Sequence, residues 1–221
     1  MRDIRRNGAK GDGSPSLFFM PLNQPEEFYI MQTMGMIRTF IALEIPDEHK
    51  QEVDKLIVKL KPFGPDVRWV RAANLHFTLR FLGDIYESSV EKLNDAITSS
   101  IADIKPIELK LSGLGCFPNM KRPRVVWLGA AGEIDELKVL ANNVESACRE
   151  SDFGKGDKPF SPHLTIGRIK NPHGLGMLIE RLPKVEFSSD DILVDHVTIF
   201  KSDLSPRGPK YTSLAEIKLT E

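Results

Sequence analysis

Residues 76–79, His-Phe-Thr-Leu, and residues 163–166, His-Leu-Thr-Ile, are two copies of one pattern, each reached through the same succession of elements. An apolar strand over 37–45 and an amphipathic helix over 47–61, which we read as capped by Asp47, precede the first copy. A strand over 124–130 and a helix over 134–150 precede the second. The histidines are 163 − 76 = 87 residues apart, and the opening strands, at Arg38 and Arg124, 124 − 38 = 86. Such a chain is a duplicated unit, and duplicated units pack about a pseudo-two-fold axis that brings equivalent strands to face each other.

The remaining elements fit that plan. A helix over 88–104 and a strand over 107–117 complete the first half, and a helix over 174–182 and a strand over 191–202 complete the second. The expected fold is α+β and bilobal: two mainly antiparallel sheets facing a central cleft, with helices on the outer faces. The repeat halves run over about 36–118 and 122–221. Residues 1–35 read as an N-terminal extension, turn-rich at first and then apolar with two prolines, whose aromatic patch the pattern leaves free to dock or not.

Strand side chains alternate faces, so His and Thr two apart share one side, about 6.6 Å from each other. Across a cleft, His76 and His163 supply a proton donor and a proton acceptor near neutral pH, because imidazole titrates at about 6.5. Thr78 and Thr165 add hydrogen bonds without charge. The set suits a phosphodiester whose non-bridging oxygens gain charge in the transition state. No metal or other cofactor is needed, and neither strand carries a His-x-His or carboxylate spacing that would bind one.

A third copy, His196 and Thr198, has no counterpart 87 residues earlier, where Leu109 stands, and reads as structural or at the rim. His49, on the polar face of the first helix, and His173, in an Asn-Pro-His-Gly turn, read as solvated. Arg80 and Arg168 follow the two motifs, and residues 120–124 add a basic link, so positive charge is expected near the cleft. Arg168 falls on the opposite strand face unless Gly167 permits a bend. Phe117, Phe160 and Tyr211 are candidates for stacking a base.

Composition narrows the class. The net charge is −1 with 28% charged residues, so any nucleic-acid contact must come from a local basic cluster. Cys116 and Cys148 have no C-x-x-C spacing and read as reduced thiols of a cytoplasmic protein. No apolar run approaches the roughly 20 residues of a membrane span, and no signal peptide follows the basic N-terminus.

The paired motifs resemble those of the 2H phosphoesterase superfamily. Together with "RTFIALEIP", "VRWVRAANLHFTLRFLGD", "FSPHLTIGRIK" and "FKSDLSPRGPKYTSLAEIKL", they are similar to the RNA 2′,3′-cyclic phosphodiesterases long called 2′-5′ RNA ligases. The resemblance spans Met36 to the C-terminus. It implies metal-independent hydrolysis of RNA 2′,3′-cyclic phosphate ends to 2′-phosphates, with 2′-5′ ligation possible in the same site. By the same resemblance His76 is the proton donor and His163 the acceptor. Thr78 and Thr165 bind phosphate, and Arg168 is the basic substrate-binding position. A monomer acting on RNA is expected. Two alternatives stay open: a phosphodiesterase of small cyclic nucleotides, and a non-catalytic RNA- or nucleotide-binding module.

Overall fold

The computed structural model describes residues 35–171, 173–206 and 208–220. The N-terminal extension therefore lies, but for Gly35, outside the described residues. In chain order the elements are β1 (Met36–Glu44), α1 (Asp47–Leu60), β2 (Val67–Trp69), β3 (His76–Tyr86), α2 (Val90–Ser100), β4 (Ile107–Phe117) and β5 (Val125–Gly132). They continue with α3 (Ile134–Glu150), β6 (His163–Ile169), α4 (Gly176–Arg181), β7 (Ile192–Val194), β8 (His196–Ser205) and β9 (Gly208–Lys218). Single turns of 3₁₀ helix flank several of these.

The strands run β7-β4-β5-β6-β3-β1-β8-β9, with β2 also on β6, and every pairing is antiparallel. The two expected sheets are thus halves of one sheet, joined at the pair Phe77↔Leu164. Those residues are themselves 87 apart, so the pseudo-two-fold axis passes between them. Register equates the opening strands as well: Phe40 pairs with Phe81 and Val125 with Arg168.

The halves of the sequence are not the halves of the sheet. β4, the last strand of the first repeat, pairs with β5 of the second, and β8 of the second repeat pairs with β1 of the first. Each repeat thereby covers a strand edge that the other would leave with unpaired backbone groups. The strand expected over 191–202 is broken at Asp195 into β7, which joins β4, and β8, which joins β1.

Alternation sorts the side chains. On the helix-covered face Ile41, Leu43, Phe77, Leu128 and Leu164 are fully buried in one cluster with Val53, Ile57 and Leu60 of α1 and Leu137, Leu140 and Val144 of α3. On the opposite face a small cluster holds Phe40, Ala42 and Phe200, with Tyr211 against it.

Two readings of α1 are corrected. Its N-cap is Pro46, without a side-chain cap, while Asp47 lies in the first turn and accepts a hydrogen bond from Lys50 Nζ (3.0 Å). His49 is 4% exposed rather than solvated. It stands four residues before Val53 and so heads the helix's buried stripe. His173 is exposed, as read.

Candidate active site

The join at Phe77 and Leu164 brings the two motifs side by side. One residue to either side of that antiparallel pair, His76 comes opposite Thr165 and Thr78 opposite His163. All four side chains point away from the helix-covered face, on which Phe77 and Leu164 are buried. The expected facing arrangement is achieved within one continuous sheet.

Each imidazole is fixed the same way. His76 Nδ1–H donates to the carbonyl of Asn74 (2.9 Å), and His163 Nδ1–H to that of Ser161 (2.7 Å). A carbonyl only accepts, so both rings carry their proton on Nδ1 and leave the Nε2 lone pair free. Asn74 and Ser161 are again 87 apart. Neither stands out in the sequence, although the repeat spacing applied two residues upstream of each histidine leads to both.

Aromatic rings complete the walls. His76 has Phe40 at 4.8 Å between ring centroids and Tyr211 edge-on at 5.3 Å, while Phe117 stands edge-on to His163 at 4.8 Å. Phe40 and Phe200, stacked at 5.2 Å, back the first wall and are not among the residues expected there. Of the three proposed stacking residues, Phe117 and Tyr211 touch a motif histidine, whereas Phe160 packs against the main core.

This environment lowers both histidine pKa values. His76 falls from 6.5 to about 4, chiefly through burial, with Arg168 and His163 adding repulsion and the Asn74 hydrogen bond opposing the shift. His163 is lowered by burial and, less, by Arg168, against the Ser161 hydrogen bond. Both rings are therefore neutral at pH 7. No hydrogen bond among the described residues takes up the hydroxyls of Thr78 and Thr165, which stay available to an anion.

A bulge in each motif strand decides where the arginines go. Leu79 is the extra residue in β3, between the pairs Ala42↔Thr78 and Ile41↔Arg80. Ile166, 87 residues later, is the extra residue in β6, between Trp127↔Thr165 and Val126↔Gly167. The bulge reverses the alternation. Arg168 thus returns to the side of Thr165, where its charge acts on His76, His163 and Tyr211. At Gly167 a Cβ would meet Val67 Cγ1 at 2.6 Å, so the backbone there tolerates no side chain.

The same bulge sends Arg80 away from the cleft, contrary to the sequence reading. It is 7% exposed and ion-paired with Glu145 of α3 (Nε to Oε2 3.2 Å, not aligned as a hydrogen bond). Its Nη2 donates to the Gly154 carbonyl (3.1 Å), and Gly156 N–H donates to Glu145 (2.8 Å). The pair thereby pins the loop that leads to Ser161 and His163. His196 sits at the rim, half-buried, donating from Nδ1 to Asp195 (2.6 Å), with Nε2 3.9 Å from Glu44. Among the described residues no three His, Cys, Asp or Glu side chains group so as to hold a metal ion, and no helix is long and apolar enough to cross a membrane.

A duplicated α+β unit with one His-x-Thr strand in each half, both opening on one cleft, is the architecture of the 2H phosphoesterase superfamily. The sequence model of the LigT-like phosphoesterases matches twice, over residues 43–127 and 128–211, and the chain belongs to that family. It is 31% identical over 186 residues to an RNA 2′,3′-cyclic phosphodiesterase of Methanothermobacter thermautotrophicus, covering 83% of this chain and 99% of the relative. To the protein of that name from Aquifex aeolicus it is 35% identical over 197 residues, covering 84% and 99%. Among solved structures, TT0787 of Thermus thermophilus matches with a TM-score of 0.71 and 30% identity over 83% of this chain and 98% of that one. E. coli LigT complexed with 3′-AMP matches with a TM-score of 0.68 and 28% identity over 85% and 100%.

Proposed function

We propose that this protein hydrolyses RNA ends carrying a 2′,3′-cyclic phosphate to terminal 2′-phosphates. His76 is the proton donor to the departing 3′-oxygen, and His163 is the acceptor from the attacking water. The observation that carries the reading is the pair of Nδ1–H donors to Asn74 and Ser161, which leaves two Nε2 atoms free beside two threonine hydroxyls that no group among the described residues engages. One nucleophile-activating base and one leaving-group acid are what in-line displacement at a cyclic phosphate requires. The threonines and Arg168 take the non-bridging oxygens as their charge grows. The names of the curated relatives favour RNA as the substrate class.

A 5′-hydroxyl in place of water would form a 2′-5′ linkage at the same centre. Water is the more abundant acceptor, so hydrolysis dominates. Mononucleotide complexes of E. coli LigT support a second reading, small cyclic nucleotides as substrates. The deciding experiment incubates the protein in EDTA with a short RNA bearing a 2′,3′-cyclic phosphate. The expected product is a 2′-phosphate formed without metal. A 3′-phosphate product or loss of turnover on chelation would reject the mechanism.

The pH dependence follows from the lowered imidazoles. Turnover needs one ring protonated and one neutral, and both free-enzyme pKa values lie below 6.5, that of His76 at about 4. kcat/KM, which reports the free enzyme, is therefore a bell on the acid side of pH 6.5. A bound phosphate anion raises both values by favouring imidazolium, so the kcat optimum lies at higher pH than that of kcat/KM. Initial rates over a pH series, fitted for both constants, check this. Coincident optima would contradict it.

A further inference from the structure

β2 adds a second arginine beside the cleft. Arg68 is the direct register partner of Arg168 across β2 and β6, so the two side chains leave the same face, with Cα atoms about 4.5–5.5 Å apart. The flanking residues Val67 and Trp69 turn the other way, into the main core. Like charges directly opposed in a sheet are destabilising. Among the described residues no carboxylate lies within ion-pair distance of Arg68 or Arg168 to offset this.

The start of β9 lies beside Arg68. Arg68 Nη2 comes within 3.3 Å, and Arg71 Nη2 within 3.6 Å, of where a Cβ would stand on Gly208. That segment is tied down by Asn74, the residue whose carbonyl holds His76, through Nδ2–H donated to the Pro209 carbonyl (3.0 Å). The guanidinium of Arg68 thus lies beside the start of β9, one strand beyond Arg168 on the same face of the sheet.

The far end of the cleft differs. The two-fold counterpart of Arg168 is Phe81, which pairs with Phe40 as Arg168 pairs with Val125 and is 61% exposed. The duplication is therefore polar, with charge at one end and an apolar ring at the other, and a phosphate-bearing chain is favoured to leave by the arginine end.

We propose that Arg68 binds the phosphodiester one nucleotide away from the reacting cyclic phosphate, making the site selective for oligonucleotide over mononucleotide ends. This rests on the phosphodiesterase reading above. The test compares cytidine 2′,3′-cyclic phosphate with a trinucleotide ending in the same group, for wild type and Arg68→Ala, over a salt series. Arg68→Ala is expected to raise KM for the trinucleotide about tenfold, the worth of one charge-assisted hydrogen bond. The salt slope should fall by about 0.7, one phosphate contact on a single strand. The mononucleotide constants should stay within about twofold, since that substrate has no second phosphate to lose.

Equal losses on both substrates, or none on the trinucleotide, would overturn the proposal. Calorimetric binding of a trinucleotide 2′-phosphate by the same two proteins separates the two readings. If wild type turned over neither substrate, the hydrolysis reading would fall, while weaker binding by Arg68→Ala would still sustain the subsite and equal binding would refute it.

Discussion

His163→Ala is expected to lower hydrolysis of a 2′,3′-cyclic phosphate RNA by about 10²–10⁴-fold, the range for one positioned acid or base, and His76→Ala by a similar factor. The loss belongs in kcat, because an imidazole that moves a proton contributes chiefly in the transition state, whereas in the proposed mechanism the threonines and Arg168 hold the phosphate before and during reaction. In the proposed mechanism the two histidines serve one displacement, so the double variant should be scarcely worse than either single one. Both side chains lie at the cleft outside the main core, and neither variant should unfold at room temperature. Steady-state constants for the three variants, with circular dichroism as the fold control, make the comparison. Independent losses that multiplied in the double variant would indicate that the histidines do not act on the same event.

Phe77→Ala should be the most destabilising substitution close to the site. Its ring is fully buried and pairs with Leu43 on one side and Leu164 on the other, where the half-sheets meet. Removing it leaves a cavity at the join and costs about 3–5 kcal/mol, or a fall in Tm of about 6–20 °C for a domain of this size. Phe77→Leu keeps most of the volume and should cost less than about 1.5 kcal/mol. Thermal melts give the stability. The alanine variant should also lose activity below its Tm, because His76 and Thr78 flank the cavity. A variant that melted early yet kept full turnover when folded would show that the join does not set the geometry of the motifs.

Much of the fold is legible without coordinates. Helix α3 and strand β4 begin and end where the apolar periodicity places them, over 134–150 and 107–117. The signal is local there: a continuous buried stripe in the helix and alternation in the strand. β2 escapes such a reading because three residues are too few to show a period. β9 escapes it although a Pro-x-Gly turn separates it from β8, because its outward side chains are mostly polar and the apolar signal is thin.

Long-range pairing is less legible. Nothing local says that β4 leaves its own repeat for β5, since the exchange satisfies strand edges far apart in sequence. On spacing alone Arg80, four residues after His76, falls on the histidine face and Arg168, five after His163, on the opposite one. One residue of bulge in each strand sends the first to Glu145 and the second toward the histidines. His49 shows the same limit, because a helical wheel does not say how wide the buried stripe will be.

By itself the sequence determined the repeat, the α+β class, the two His-x-Thr strands and, through them, the kind of chemistry available, because these depend on residue types at fixed short spacings. Only the tertiary structure decided which histidine nitrogens are free, which arginine returns to the histidine side of the sheet and which strands exchange between repeats. Those depend on backbone register, where a shift of one residue turns a side chain from the solvent to the core.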